Sequence, residues 1–334
     1  MRCIPAGNYD SGNDRNSERG VVLIIVLLMI SLIIAVTVKM VRSSRADYYE
    51  AVNMRDSFKT RYLAKSGFYR AEAALAEDEN GYDALFEKWA KSDVISTQAG
   101  TMFDDGGYFT ASIEDESGRI NINKLVDKDN VANKGFNQPV KDMLMRLLAR
   151  PEYKLEEQQR TDIVNAIKDY IDADSDATGK EKGTMEPLWC KNAPLDSIEE
   201  LLLIPLISND LFYGTKEKPG ISRYLTVYGD GKININTAPA AVLKSLVDNI
   251  TDDQVAAMED YRMHESQDLA DPGWYHKISG MSGANIDPNL LSTRSRVFRI
   301  TSTGFLGKMG QTITGVVQKG STPKDMKILS WKVY

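Results

Sequence analysis

The chain has 334 residues, enough for one large or two ordinary domains with a substantial hydrophobic core. Its net charge is −6, and a mildly acidic surface does not attract phosphate backbones, so the composition argues against a nucleic-acid-binding protein.

The first predicted element is an apolar helix near the N-terminus. Residues 21–38 carry no charge, and only Ser31 and Thr37 interrupt the apolar run. A helix of this length spans about 27 Å, close to the roughly 30 Å hydrocarbon core of a bilayer. The sequence therefore predicts a single membrane span, although the charges on its two sides do not select an orientation.

The residues before this run are typical of a processing signal. Arg19 and Gly20 precede the apolar run. A secretory signal would have a small-x-small cleavage site after the run, and this chain has none there. The arrangement resembles the prepilin leader of type IV pilins and type II secretion pseudopilins. The resemblance implies that prepilin peptidase cuts between Gly20 and Val21 and methylates the new amine of Val21. An uncleaved anchor is the alternative.

One position in the apolar helix is informative. Counted from Val21, the fifth residue is Ile25, where pilins and major pseudopilins carry a Glu that is thought to pair with the amine of the neighbouring subunit. A carboxylate in lipid is costly unless it is paired. The absence of a carboxylate at this position therefore indicates a subunit with no partner beyond it, as expected at the tip of a fibre.

The composition of residues 39–91 predicts that the helix continues beyond the membrane. It has two apolar rows at helical spacing: Ala64, Phe68, Ala71 and Leu75, and Met54, Phe58 and Tyr62. We expect a sheet to cover these rows.

Strand patterns occur at both ends of the remaining chain. Residues 108–113, 297–303, 311–317 and 327–333 alternate polar and apolar side chains and contain many β-branched or aromatic residues. Helical patterns lie between the first strand and the other three. The sequence therefore predicts one α+β domain interrupted by a helical insertion.

A short motif in this region occurs twice. Residues 118–123 (GRININ) and 231–236 (GKININ) differ only by an Arg/Lys exchange. Each copy precedes two predicted helices: 139–149 with 156–171, and 239–247 with 252–263. Two copies of one small module are plausible. The alternative is a favourable turn, strand and helix-entry sequence that is used twice.

Taken in order, these features are similar to the minor pseudopilin K family of type II secretion systems. The matching segments are the leader ending at Gly20, RYLAKSG at 61–67, GRININ at 118–123, DYIDAD at 169–174, KNAPLDSIEELL at 191–202, YLTVYGDGKININTAP at 224–239, and the closing strands.

The resemblance implies an α+β fold: a type IV pilin-like fold, with a long N-terminal helix on an antiparallel sheet. It also implies a large all-α insertion with two helix-hairpin-helix-like (SAM-like) modules. The expected domains are a leader (1–20), a transmembrane segment (21–38), a pilin-like domain (39–136 and 296–334) and the inserted helical domain (137–295).

The resemblance also implies a function and a location. We expect a subunit that initiates and caps the pseudopilus, together with the minor pseudopilins I and J, for protein export across the outer membrane. It would cross the bacterial inner membrane once, with its C-terminal domain in the periplasm. A type IV pilus tip subunit and a membrane-anchored DNA receptor are the alternatives. The predicted helix turns at 248–253 and 203–209 lack glycine, which does not favour the DNA receptor.

Calcium is a further expectation. Asp172, Asp174 and Asp176 place three carboxylates at alternate positions after a helix, and a hard cation requires such oxygen ligands. The family resemblance implies calcium binding through acidic loops of the insertion, with Glu181 as a fourth ligand. A solvated acidic helix end is the alternative.

No catalytic motif emerges from the chain. Its two histidines, His264 and His276, do not form a zinc-protease helix motif, and no GxSxG sequence is present. We therefore expect that the protein is not an enzyme.

Overall fold

The computed structural model describes residues 14–98, 106–127, 135–174, 176–178, 190–264, 267–320 and 325–334, with side chains from residue 20 onward. The α-helices are α1 (Asp14–Ala76), α2 (Ser92–Ile95), α3 (Gln138–Leu148), α4 (Glu157–Ile171), α5 (Asn209–Phe212), α6 (Ala240–Ser245) and α7 (Asp252–Arg262). The β-strands are β1 (Tyr108–Asp115), β2 (Ile120–Asn121), β3 (Leu225–Thr226), β4 (Ile233–Asn234), β5 (Leu291–Ser292), β6 (Val297–Leu306), β7 (Met309–Lys319) and β8 (Met326–Val333).

Short 3₁₀ helices connect these elements. They are Lys88–Ala90, Ile122–Lys124, Pro151–Tyr153, Ile198–Leu203, Ile221–Tyr224, Pro272–Lys277 and Pro288–Leu290. By its internal contacts the chain divides into two units, Met1–Lys59 and Thr60–Tyr334.

Four strands form an antiparallel sheet in the order β1-β6-β7-β8. Strand β1 pairs with β6, so that Tyr108 lies opposite Phe305 and Asp115 lies opposite Phe298. The chain therefore leaves the sheet after β1 and returns to it at Val297. The predicted α+β organisation with four strands is confirmed, and each strand is longer than predicted.

The last turns of α1 cover this sheet. The first predicted row is confirmed, because Ala64, Phe68, Ala71 and Leu75 are completely buried. Small residues allow the helix to lie close to the strands. At Gly304 of β6, an added Cβ would be 2.1 Å from the carbonyl oxygen of Thr60. The packing of this helix therefore depends on glycine in the strand below it.

Two expectations for α1 are wrong. Met54, Phe58 and Tyr62 are exposed, so the second row is not covered in the structure. The helix also ends at Ala76 and not near residue 91. The chain beyond this end is held by Glu87, whose carboxylate accepts hydrogen bonds from the indole of Trp89 and the amide of Ala84, both at 2.8 Å.

The region between β1 and β6 has its own hydrophobic core. Helix α3 buries Val140, Met143, Leu144, Leu147 and Leu148, the i, i+3, i+4, i+7, i+8 pattern of an amphipathic helix. Ile120, Ile122 and Leu125 belong to the same core, so the GRININ segment packs with the helices and not against the sheet. The predicted boundary at residue 137 stays a prediction.

The repeated motif adopts the same arrangement twice. In the first copy β2 pairs in parallel with β3, and in the second copy β4 pairs in parallel with β5. Each initial strand is followed by two helices, α3 and α4 or α6 and α7. The predicted helix pairs are confirmed in position, with α6 and α7 shorter than the first pair.

The asparagines of the motif explain why it recurs. The side-chain oxygen of Asn121 accepts a hydrogen bond from the amide of Asn123 at 3.0 Å, and Asn234 does the same for Asn236 at 3.0 Å. These Asx turns close the step from the short strand into the next segment. The second asparagine of each copy then reaches another segment: Asn123 donates to the carbonyl of Leu195 at 2.9 Å.

Candidate functional site

The N-terminal part of α1 is the candidate membrane anchor. Within the described residues it is the one helix that is long and apolar enough to cross a membrane, with a mean hydropathy of 3.4 over its most apolar window. The side chains of residues 20–50 are exposed in the structure. Large exposed apolar surface of this extent is unstable in water, so this segment requires a lipid or protein environment.

The two polar side chains of the apolar run are compatible with lipid. Ser31 donates to the carbonyl of Leu28 at 2.9 Å, and Thr37 donates to the carbonyl of Ile33 at 2.8 Å. Both hydroxyl groups are therefore satisfied inside the helix, which removes most of the cost of placing them in hydrocarbon.

The predicted cleavage site lies in the same helix. Gly20 and Val21 are exposed, and no atom lies within 4 Å of a Cβ added at Gly20. Ile25 is exposed, and residues 21–38 contain no carboxylate. Cleavage and methylation stay predictions.

The described carboxylates of the predicted calcium site make different contacts. The carboxylate of Asp172 is buried and pairs with the ammonium group of Lys168 one helical turn earlier. Asp174 and Asp176 are exposed, and the Asp174 carboxylate accepts the amide of Asp176 at 2.9 Å. Glu181 lies outside the described residues.

These contacts bear on the oxygen atoms that calcium would need as ligands. Calcium takes about six to eight oxygen ligands at roughly 2.3–2.6 Å. The backbone carbonyl of Asp174 already accepts the side-chain amide of Asn192 at 2.7 Å, and Asp172 is engaged by Lys168. The described residues therefore do not make up a calcium site, and calcium binding stays a prediction.

A second acidic cluster was not predicted from the sequence. Asp78, Asp83 and Glu87 bring three carboxylates within 4.8 Å of one another. The ammonium group of Lys319 lies 3.0 Å from Asp78 and 3.1 Å from Asp83. Burial opposes protonation of Lys319, but the neighbouring Asp83 and Asp78 outweigh it and raise its pKa. The acidic run 77–79 was the available signal, but its partner lies about 240 residues away.

Buried polar contacts join this cluster to the second motif copy. Asp115 accepts hydrogen bonds from the hydroxyl of Thr237 at 2.5 Å, from the hydroxyl of Ser295 and from the amide of Asn234 at 3.2 Å. Burial raises the pKa of Asp115. Burial also raises the pKa of Asp83 to about 7, against the lowering effect of Lys319. These residues hold the end of β1 against the start of β4 and β6.

The helix turns offer poor sites for phosphate. Between α6 and α7, Asp248 forms a two-point pair with Arg146 at 2.6 and 3.0 Å, which lowers the pKa of this aspartate. At the start of α7, Asp252 pairs with Lys244, which lowers the pKa of Asp252. The cationic side chains at this turn are therefore already engaged by carboxylates.

The histidines do not form a catalytic arrangement with each other. His264 is exposed and lies 3.7 Å from Asp260, one helical turn away, whereas His276 packs against the ring of Tyr275. Neither imidazole is buried beside a nucleophile in the part of the chain that the structure describes.

Comparison with known proteins adds two family matches. A family model described as "Type II secretion system (T2SS), protein K" matches residues 118–216, and a second model with the same description matches residues 233–294. These limits agree closely with the two motif copies, each of which begins at its GxININ segment.

Two relatives match over most of the chain. The type II secretion system protein K of Pseudomonas aeruginosa is 28% identical over 331 residues, which cover 94% of this chain and 92% of that protein. A chain of the crystal structure of the GspK-GspI-GspJ complex from enterotoxigenic Escherichia coli type 2 secretion system has the same fold. Its TM-score is 0.58 at 16% identity, over 87% of this chain and 98% of that chain.

Proposed function

Since the chain belongs to the type II secretion system protein K family, we propose that it is a minor pseudopilin of the type II secretion pseudopilus. The observation that carries this proposal is the match of two family models to the two motif copies. The match to a curated protein K over nearly its full length supports the same role for the whole chain. The role is structural, and no catalytic step is part of the proposal.

The partners follow from the same likeness. The related Escherichia coli chain comes from a complex with two further minor pseudopilins, and we propose that this chain assembles with its own minor pseudopilins I and J. The sheet covered by the end of α1 supports a pilin-like domain. The two copies of strand and paired helices support helix-hairpin-helix-like modules in the insertion.

The N-terminal helix is proposed as a processed inner-membrane anchor, with the C-terminal domain in the periplasm. Prepilin peptidase would cut after Gly20 and methylate Val21. The uninterrupted apolar surface of residues 21–38 supports the anchor, and the glycine that precedes it supports the cleavage.

The test of processing is the mass and N-terminal sequence of the full chain, extracted from membranes of cells with and without prepilin peptidase. We expect a chain that begins at N-methyl Val21 only when the peptidase is present, and Gly20→Val should abolish this product. A chain that begins at Met1 in both strains would contradict the proposed processing and leave an uncleaved anchor.

The absence of a carboxylate at Ile25 supports a position at the tip. A pseudopilin with Glu at this position can pair with the amine of a neighbouring subunit, whereas Ile25 offers no such partner. The chain would then accept no subunit beyond it, and the bulk of its insertion would obstruct further stacking. Together with pseudopilins I and J it would initiate the fibre and end its tip.

Ile25→Glu tests the tip position. Ile25→Gln is the control, because Gln has the shape of Glu without its charge. We expect Glu to lower secretion of the exported proteins and to allow the chain to enter the fibre, as seen by immunogold electron microscopy. Gln should leave both unchanged. Wild-type secretion and tip position for the Glu variant would contradict this explanation.

A membrane-anchored DNA receptor and a type IV pilus tip subunit are less favoured. The acidic turn between α6 and α7, with its arginine held by Asp248, does not support phosphate binding. The family match supports type II secretion over the pilus.

A further inference from the structure

The last turn of α4 places a buried positive charge beside the loop that follows it. Lys168 is only 4% exposed, although lysine is seldom buried without partners. An ammonium group has three N–H donors that must be satisfied in the interior. The position of Lys168 therefore requires a specific set of acceptors.

The acceptors are supplied by the loop itself. The ammonium group donates to Asp172 and, at 3.1 Å, to the hydroxyl of Thr178, and it lies 5.7 Å from the ring centre of Phe136. A carboxylate, a hydroxyl and an aromatic face together satisfy a buried cation.

The same loop is closed by a second contact at Thr178. The carboxylate of Asp169 accepts the backbone amide of Thr178 at 2.9 and 3.2 Å. Two neighbouring residues of α4, Lys168 and Asp169, thus hold the hydroxyl and the amide of one loop residue. The last turn of α4 thus holds Thr178 by two side chains.

We infer that Lys168 supplies the positive charge that this acidic loop needs, so that the order of residues 169–174 and 176–178 does not depend on calcium. A calcium ion at ligand distance from the same Asp172 oxygen would lie against the ammonium group, and the two positive charges repel one another. The lysine takes the place that a divalent cation would need. This inference does not rest on the proposed function.

The chain uses the same chemistry in its other acidic cluster. Lys319 lies between Asp78 and Asp83, and its ammonium group is 5.0 Å from the ring centre of Phe298. Lys168 and Lys319 therefore each combine a carboxylate, a second oxygen acceptor and an aromatic ring. In both places a lysine of the chain pairs with buried carboxylates.

The test is hydrogen exchange of the full chain in detergent micelles, measured by mass spectrometry on peptides that contain Thr178. For the wild-type protein, we expect equal exchange at this amide in excess calcium chloride and in EGTA. This comparison needs no variant, so it does not depend on whether a substituted chain folds.

Two variants test whether Lys168 orders the loop that contains Thr178. In EGTA, Lys168→Gln should accelerate exchange at Thr178 by about a hundredfold, because a buried aspartate loses its cation. Lys141→Gln is the matched control, since its ammonium group lies 4.3 Å from the centre of the same Phe136 ring. It should leave exchange at Thr178 unchanged.

Two results would overturn the inference. One is an increase of about tenfold or more in wild-type exchange when calcium is removed, which would make calcium the ordering ligand. The other is unchanged exchange in Lys168→Gln, which would remove the lysine from this role.

Discussion

The two motif copies allow a prediction in which one copy is the control for the other. Asn121 and Asn234 occupy equivalent positions, are almost fully buried, and form the same Asx turn. They differ in what their side-chain amides contact. We expect Asn234→Ala to destabilise the protein more than Asn121→Ala.

The difference in magnitude follows from the hydrogen bonds. Asn121 donates to the carbonyls of Tyr228 and Gly229 at 2.9 and 3.0 Å. With its Asx-turn bond, Asn121→Ala loses three neutral hydrogen bonds, worth about 1 kcal/mol each, or roughly 3 kcal/mol.

Asn234 makes one contact of a different kind. It donates to the carbonyl of Asp83 at 3.1 Å, to the hydroxyl of Ser295 at 2.7 Å and to the buried carboxyl of Asp115 at 3.2 Å. The two N–H groups of its amide are shared among these three acceptors. With the Asx-turn bond this makes about 3 kcal/mol, and the loss of a donor to the buried carboxyl of Asp115 adds about 1–3 kcal/mol, so Asn234→Ala should cost roughly 5 kcal/mol in total.

The assay is urea unfolding of the full chain in detergent micelles, followed by tryptophan fluorescence. Trp274 is fully buried and donates to Asn236 at 2.8 Å, so its emission reports on the second copy. We expect Asn234→Ala to lower the free energy of unfolding by about 2 kcal/mol more than Asn121→Ala. Equal losses, or a larger loss for Asn121→Ala, would refute the role assigned to Asp115.

Two further predictions concern the packing of α1 and the response to pH. Gly304→Ala should lower the free energy of unfolding in urea by about 2–4 kcal/mol, because the added Cβ would overlap the Thr60 carbonyl. Gly283→Ala is the control: its added Cβ meets no atom within 4 Å, so the free energy of unfolding should be nearly unchanged. Since the pKa of Asp83 is raised from 3.8 to about 7, the folded chain holds a proton that the unfolded chain loses, and stability should fall by about 2–3 kcal/mol between about pH 5 and about pH 8. Asp83→Asn should remove this decrease, and an unchanged pH profile in that variant would contradict the raised pKa.

Much of the fold is encoded in local patterns and is therefore predictable. Alternation along the sheet strands gave their positions, and the helical spacing of Ala64, Phe68, Ala71 and Leu75 identified the face of α1 that packs on them. The repeated GxININ motif indicated two similar modules, because the same Asx turn is needed at the entry to each. The candidate membrane helix was predictable for the same reason, since an apolar run of membrane length is a local feature.

The contacts that were missed join distant parts of the chain. The amide of Ser295 donates to Asp83 at 2.7 Å across 212 residues, and Lys319 reaches Asp78 across 241 residues. Nothing in the neighbourhood of Asp83 indicates either partner. Several residues after the end of α1 take part in such contacts, among them Asp78 and Asp83.

The residues of the predicted calcium site show how a contact can be overlooked in a sequence. Asp172, Asp174 and Asp176 have the spacing of oxygen ligands, and Asp172 pairs with Lys168 on the helix that precedes them. The i, i+4 spacing of Lys168 and Asp172 was visible in the sequence. It gained meaning only when both side chains proved to be buried.

The packing between the two copies bears on what the insertion can bind. Arg146 of α3 reaches the end of α6, where it donates to the carbonyls of Ser245 and Leu246 at 3.0 and 3.3 Å and forms its two-point pair with Asp248. One copy thus satisfies carbonyl groups at the turn of the other, and its guanidinium charge is already paired with Asp248. The copies also share one hydrophobic core. A phosphate at this turn would have to displace the Asp248 carboxylate from Arg146 and would lie beside its negative charge. The arrangement of Arg146 therefore argues against DNA binding on grounds independent of the family match.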